Sequence, residues 1–401
     1  MLQKLKIENV ITTINQKYGI DNMNHLHFFT LGYYPQYLPI GIIFGIVIGI
    51  YSFFRVKYAF NDSKLSKNKI LISTVISIFA FLCCLNIWSN AAIYTLYIFL
   101  CSLFADILRL IIKYPLKDRY LNFIPKIHKK GGLALIFFII IIIIGAYGMN
   151  HIVQTEYNMT TQKIGNDSYK VIFISDTHYG TVQNPQLLND SISRINDMKP
   201  DIVVLGGDIV DERTSNSEMK EVFKELSRIN STYGTYYIFG NHDTQPSQTD
   251  YENGNRTFTD IELNQTINKN GIRILNDDKT TINEDIVLVG RSDAEWDGAA
   301  DRTNVSEILN ESDLSKYVIV ADHQPLEGME NSKLGVDLQV SGHTHGGQVF
   351  PYKEMIELTG TNTYGEYGFG DMKQIVSSGF TGWGWGIRNE AKCEYVLINI
   401  N

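Results

Sequence analysis

The sequence predicts two parts: a four-helix transmembrane region over residues 25–150 and an α/β domain over residues 169–401, with a linker at 151–168 and a short segment at 1–24. Three observations carry this division. Long stretches without a charged side chain fill the first part, as membrane-spanning helices require. Short β-branched runs alternate with helix-length segments in the second, as βαβ units require. The charge also changes sign: residues 1–150 carry 15 Lys and Arg against 5 Asp and Glu, whereas residues 151–401 carry 20 against 38. The chain length of 401 residues leaves room for two or three domains.

The first span is expected within the uncharged stretch Asn22 to Phe54, with Leu38 to Tyr51 as its apolar core and Tyr33, Tyr34 and Tyr37 suited to an interfacial belt. A cleaved signal peptide is not expected, because the apolar run is long, lies late and is followed by more of its kind. Ile70 to Ala105 is uncharged over 36 residues, interrupted by Ser89-Asn90. One helix of that length would reach about 54 Å against a hydrocarbon core of ~30 Å, so a helical hairpin is expected. Its second arm continues to Ile112 and contains Asp106 and Arg109, whose spacing allows a local ion pair. Gly131 to Thr155, with six consecutive Ile from Ile139 to Ile144, makes the fourth span. The first and third loops hold the basic residues (Arg55, Lys57, Lys64, Lys67 and Lys69; Lys113, Lys117, Arg119, Lys126, Lys129 and Lys130). By the positive-inside rule those loops are cytoplasmic, which places the acidic domain outside a cell membrane crossed several times.

In the second part, apolar runs end abruptly in acids and imidazoles. Val171 to Ser175 ends at Asp176-Thr-His178, and Asp201 to Leu205 ends at Gly206-Gly-Asp208-Ile-Val-Asp211. Tyr236 to Phe239 ends at Gly240-Asn241-His242-Asp243, Tyr317 to Ala321 at Asp322-His323, and Val336 to Val340 at Ser341-Gly-His343-Thr-His345-Gly-Gly-Gln348. Ligand groups in such sheets gather at the carboxyl ends of the strands. Carboxylates crowded there repel one another unless a cation holds them, so a metal site follows. Each His alone would more often be a surface or satisfied core residue; five at successive strand exits are not. Oxygen and imidazole donors without thiolate suit Mn, Fe, Zn or similar ions. The acidic half has no basic patch with interleaved aromatics, so nucleic acid is not an expected partner. Cys393 stands alone in that half and can form no internal disulfide there.

Further along, helices are expected at Glu218 to Ile229 and Asp260 to Asn268, and a strand at Ile282 to Gly290. Ala294 to Ser315 reads as an irregular acidic loop with one short helix, and the glycine-aromatic stretch Val376 to Arg388 precedes a closing strand near Tyr395 to Ile400.

In their order, D-x-H (Asp176, His178), G-D-x-x-D (Asp208, Asp211), G-N-H-D (Asn241, His242), the single His323 and G-H-x-H (His343, His345) resemble the calcineurin-like metallophosphoesterase superfamily. The match covers roughly Lys170 to Ile400. The Ser341 to Gln348 stretch and the four preceding spans are similar to its membrane-associated bacterial and archaeal branch. The resemblance implies a sandwich of two mostly β layers flanked by helices. It also implies two divalent metal ions bridged by Asp208, one held by Asp176, His178 and His345, the other by Asn241, His323 and His343. Such a pair binds phosphate oxygens and presents a bridging hydroxide for in-line attack. His242 would then assist the leaving oxygen, with Asp211 orienting its ring. Arg388 would be a phosphate contact or a structural salt bridge. Thr177 and Tyr179 depart from residues common in relatives, and neither is a ligand. Trp383 and Trp385 would touch lipid or substrate, or pack in the core. The expected activity is hydrolysis of a phosphodiester of a lipid head group or envelope polymer. The alternatives are a phosphomonoesterase or nucleotide hydrolase, or a sensor that binds without turnover.

Overall fold

A computed structural model describes residues 37–61, 65–113, 127–165, 167–181, 184–245, 256–294 and 302–401. The 1–24 segment, Tyr33, Tyr34 and most of the third loop lie outside these. The chain divides into two compact units, Met1–Ile144 and Gly145–Asn401.

The helices of the first part are α1 (Leu38–Ala59), α2 (Lys69–Cys84), α3 (Asn90–Lys113) and α4 (Gly132–Met149). Four stretches, Leu38–Ala59, Ser66–Cys84, Asn90–Ile111 and Gly132–Met149, are long and apolar enough to cross a membrane, with mean hydropathy of 1.9, 1.6, 1.9 and 2.6. The expected hairpin turns between Cys84 and Asn90. Asp106 does not pair with Arg109. Its carboxylate accepts from the Tyr51 hydroxyl at 2.8 Å and meets His128 Nε2 at 2.7 Å and Arg55 Nε at 3.5 Å. Arg109 lies over the Tyr58 ring instead. An acid among apolar helices is satisfied across helices, where donors converge, better than along its own.

The second unit holds two six-stranded sheets. The first orders β1 (Ile152–Met159), β12 (Cys393–Ile400), β2 (Tyr169–Ile174), β3 (Ile202–Gly206), β4 (Thr235–Ile238) and β5 (Ile272–Ile274). The second orders β10 (Gly365–Phe369), β11 (Met372–Val376), β9 (Leu338–Ser341), β8 (Tyr317–Ala321), β7 (Ile286–Gly290) and β6 (Asp278–Ile282). Val171, Phe173, Val204 and Ile238 of one sheet share a core with Leu288, Ile319, Val340 and Ile375 of the other. This is the sandwich. The helices Gln186–Met198, Asn216–Leu226 and Asp260–Lys269 cover the outer face of the first sheet through Leu188, Ile192, Val222, Phe223 and Leu263. Two of them start on capping boxes, Ser215 with Glu218 and Thr259 with Glu262, which satisfy otherwise orphaned amides. Because both faces of β3, β7 and β8 are covered, these strands are apolar throughout.

Three local expectations change. The 151–168 linker contains β1, an edge strand parallel to β12 in register from Ile152 opposite Cys393 to Met159 opposite Ile400. The single strand expected at Ile282 to Gly290 is the turn and second arm of the β6–β7 hairpin, with positive φ at Asn283 and Glu284. The acidic loop carries two short helices, Val305–Ile308 and Glu311–Leu314, rather than one.

Candidate metal centre

The ligand-bearing turns leave β2, β3, β4, β8 and β9 at their carboxyl ends, so all five reach one edge of the sandwich. The chain reverses sharply there. Asp176, His178, Asp208, His343 and His345 have φ of 55°, 37°, 51°, 70° and 51°. Left-handed non-glycine residues cost on the order of 1–3 kcal/mol each and persist only where the surroundings impose them. The imposing contacts are visible. Asp176 N donates to Gly207 O at 2.9 Å and His178 N to Asp208 O at 3.1 Å. The buried Asp243 carboxylate accepts from the amides of Asp208 (2.8 Å), Ile209 (2.9 Å), Val210 (3.2 Å) and Gly240 (2.6 Å). The last residue of G-N-H-D thus braces the G-D-x-x-D turn.

Two groups of donors result, Asp176 with His178 and His345, and Asp208 with His323 and His343. Asn241 joins the second, its Oδ1 3.0 Å from His343 Nδ1. Asp208 Oδ2 lies between them, 3.2 Å from His323 Nε2 and 3.8 Å from His178 Nε2. His178 Nε2 and His345 Nε2 face each other at 3.3 Å. Buried His323 Nε2 has Asp208 Oδ2 at 3.2 Å but makes no well-aligned hydrogen bond. Ligands held about 2 Å from one ion in a tetrahedral or octahedral shell stand roughly 3 Å apart, so these separations fit divalent cations. Behind the ligands, His323 Nδ1 meets Gly206 O at 2.8 Å and His345 Nδ1 meets Thr381 O at 3.2 Å, contacts that leave Nε2 for a metal.

The electrostatics agree. Burial, joined by neighbouring imidazoles, lowers His343 to about 3 and His345 well below the usual range, so both stay in the neutral form that ligates. Burial opposes ionisation of Asp208, yet His323, His242 and His178 outweigh it and hold this carboxyl well below its ordinary value. Asp176 is pushed up by burial and by the charge on Asp208, a conflict that a cation relieves.

Two expected roles are corrected. Asp211 does not back His242; its Oδ2 lies 3.3 Å from His178 Nδ1, behind a ligand. The residue behind His242 is Glu212, with Oε2 at 2.8 Å and Oε1 at 3.0 Å from Nδ1. The cause is local. Asp211 Oδ1 accepts from Arg213 N at 2.7 Å and Asp211 N donates to Thr214 Oγ1 at 2.9 Å, which turns that carboxylate inward. The neighbouring acidic residue in Asp211-Glu212 was the available signal for it. Burial disfavours charge on His242, but Glu212 first and then Asp208 and Asp211 raise it to about 10. Its ring also stacks on Trp383, with centroids 5.1 Å apart.

Arg388, the second correction, is 0% exposed and is held by main-chain carbonyls rather than by a salt bridge. Its guanidinium donates to Thr381 O at 2.6 Å, to His345 O at 2.5 Å and to Ser378 O, and meets Cys393 Sγ at 3.3 Å. Trp385 packs in the interior against Tyr352. Thr177 and Tyr179 are buried.

Comparison with known proteins agrees with this geometry. Residues 169–347 match the calcineurin-like phosphoesterase family. A metallophosphoesterase of Campylobacter jejuni is 31% identical over 58% of this chain and 59% of its own. One of Aquifex aeolicus is 30% identical over 53% of this chain and 77% of its own. The Escherichia coli phosphodiesterase YaeI is 27% identical over 58% of this chain and 82% of its own. The chain spans about three fifths of the Campylobacter and Helicobacter relatives, at 59% of each. Sequence similarity to a relative covered over 77% of its length, together with the family match, shows that the chain belongs to the calcineurin-like phosphoesterase family.

Proposed function

We propose that this chain is a membrane-anchored, metal-dependent phosphodiesterase that holds two divalent cations and acts on a lipid head group or envelope polymer outside the cytoplasm. One observation carries the reading: the Asp208 carboxylate, grouped with His323 and His343, also approaches His178 of the Asp176, His178 and His345 group. Asp176, His178 and His345 would hold one cation, and Asn241, His323 and His343 the other, with Asp208 shared. When bound, such a pair supplies Lewis acidity at the phosphate and a deprotonated water for in-line attack. The chain's own residues do the rest. Asp211 fixes the His178 ring. His242, held at Nδ1 by Glu212, keeps Nε2 for a proton or hydrogen bond to the leaving oxygen. A complete donor set with a leaving-group donor favours turnover over binding alone, since a sensor needs no such donor.

Similarity to YaeI, a phosphodiesterase by name, supports the diester preference, and the basic first and third loops support the outward orientation. The test is hydrolysis by the purified full-length protein with Mn, Zn or Fe, screened against phospholipids, wall-polymer fragments and nucleotides. Release of a monoester from a lipid or polymer diester is expected. Turnover of monoesters or nucleotides alone rejects the diesterase reading, and metal binding without any turnover leaves a sensor.

A further inference from the structure

The last turn of α4 is part of the catalytic unit. That helix has 18 residues, about 27 Å at the α-helical rise, close to the ~30 Å of a hydrocarbon core. As a spanning helix it brings Met149 to a membrane surface. Gly145 lies four residues before that end, about 6 Å along the axis. The loop of the domain reaches it there: Arg388 N donates to Gly145 O at 2.9 Å. A Cβ on Gly145 would stand 2.8 Å from the Ile387 side chain, and one on Gly148 would collide with Arg388 O. These two glycines let the loop backbone lie against the helix below its end. On a spanning α4, Ile387 and Arg388 thus stand level with its last turn rather than beyond its end.

That loop holds a second segment beside it, in which exposed apolar side chains alternate with exposed Glu354 and Glu357. Phe350 N donates to Asn389 Oδ1 at 3.1 Å, Lys353 N donates to Glu390 Oε2 at 2.8 Å, and the Tyr352 ring meets Trp385 edge-on at 5.2 Å. The segment Phe350–Leu358 leaves Phe350 50%, Met355 38% and Leu358 89% exposed. Within the described residues of the catalytic unit, seven large hydrophobic side chains are this exposed, and four of them are these three and Tyr147 on the last turn of α4. Exposed apolar residues held by the loop that packs on a membrane helix meet the interface plane, where such side chains enter by about 5–10 Å.

We infer that Phe350–Leu358 is a membrane-docking element, seated in the lipid head-group and upper acyl region on the side where α4 ends. The rim of the metal centre belongs to the same block, because Trp383, which stacks on His242, donates from its amide to Gln348 Oε1 at 2.8 Å, two residues before Phe350. Resting on the function proposed above, docking would let a lipid-borne phosphodiester meet the site without leaving the bilayer.

The test labels full-length protein with an environment-sensitive fluorophore on Leu358→Cys or on Glu284→Cys, an exposed position at the amino end of β7, away from the site edge. Each is placed singly in nanodiscs of phosphatidylcholine and phosphatidylglycerol. The expected result is a blue-shifted Leu358 label quenched about twofold or more by brominated acyl chains, with the Glu284 label unaffected. Equal, water-like emission from both overturns the inference. So does a shifted Leu358 label insensitive to bromine, which means that protein covers it. A second arm compares Met355→Glu/Leu358→Glu with the unaltered protein. A loss of roughly tenfold or more on a vesicle-borne diester is expected, with soluble nitrophenyl diester turnover kept within about twofold. An equal loss on both substrates overturns docking. If no lipid diester is hydrolysed at all, the functional reading fails while the quenching result still decides the docking.

Discussion

Replacing Glu212 with Gln tests which carboxylate serves His242. The variant keeps the shape and removes the charge that lies 2.8 Å and 3.0 Å from Nδ1. A charge-assisted hydrogen bond contributes about 1.5–3 kcal/mol where both partners are largely buried, as here. At 1.36 kcal/mol per tenfold, that corresponds to roughly 10- to 150-fold in any step needing His242 protonated and oriented. The sign follows from the raised value: Glu212 keeps His242 protonated up to about pH 10, so its loss costs most on the alkaline side. Glu212→Gln should therefore lose roughly 10- to 150-fold on alkyl phosphodiesters, less at low pH, and distinctly less on nitrophenyl esters, whose leaving group needs no proton. His242→Ala should show the same leaving-group dependence with a larger loss, on the order of 10²–10⁴-fold. Asp211→Asn should instead weaken metal affinity by about 10- to 100-fold, because it supports His178. The assay is steady-state turnover on paired substrates with metal content measured for each variant. Wild-type turnover in Glu212→Gln, with leaving-group dependence abolished in Asp211→Asn, would refute the assignment.

Asp208→Asn removes the charge shared by both donor groups and should abolish metal retention and hydrolysis while the fold persists; normal metal content by elemental analysis would reject the shared role. Cys393 is 0% exposed and cannot report topology, so a cysteine at exposed Asn304 should react with an impermeant maleimide on intact cells; labelling only after lysis would place the domain inside. Burial, reinforced by Glu354 and opposed by the Lys353 amide, pushes Glu390 up to about 7. A carboxyl raised in the fold stabilises it below the unfolded value and loses that contribution as pH rises through 7, so the Tm of chelator-treated protein should fall between pH 5 and 8. Glu390→Gln should flatten that slope.

Each candidate donor of the centre is readable because its signal is local: a β-branched strand, then a turn, then a donor. The strand exits at Asp176, Asp208, Asn241, His323 and His343 follow one grammar, and burial of both strand faces makes the runs unmistakable. Features that depend on distant partners were not readable. The Asp211 carboxylate points away from His242 because of hydrogen bonds to Arg213 and Thr214, a choice between adjacent acids that composition does not make. Strand β1 pairs with residues some 240 positions away, and its only local sign is the exposed alternation of Gln154, Glu156 and Asn158. Arg388 is expected as a phosphate contact or a salt bridge because the Gly-Ile-Arg388 stretch resembles a pocket-lining segment of the family. Its burial arises from carbonyls at Thr381, His345 and Ser378.

Those long-range contacts converge on one residue. Gln348 follows the ligand His345 by three positions, and its side chain accepts from Trp383 N at 2.8 Å and donates to Trp385 O at 3.0 Å and Ile387 O at 3.2 Å. Trp383 stacks on His242, and Ile387 packs on Gly145 of α4. One amide therefore links a candidate metal donor, the ring beside His242 and the loop that packs on the last turn of α4. Each of these bonds engages a main-chain group of the 383–387 loop. The Trp383 ring beside His242 and the Ile387 backbone that meets Gly145 are thus held by the same side chain. This linkage gives a physical reason for a Gln directly after G-H-x-H-G-G.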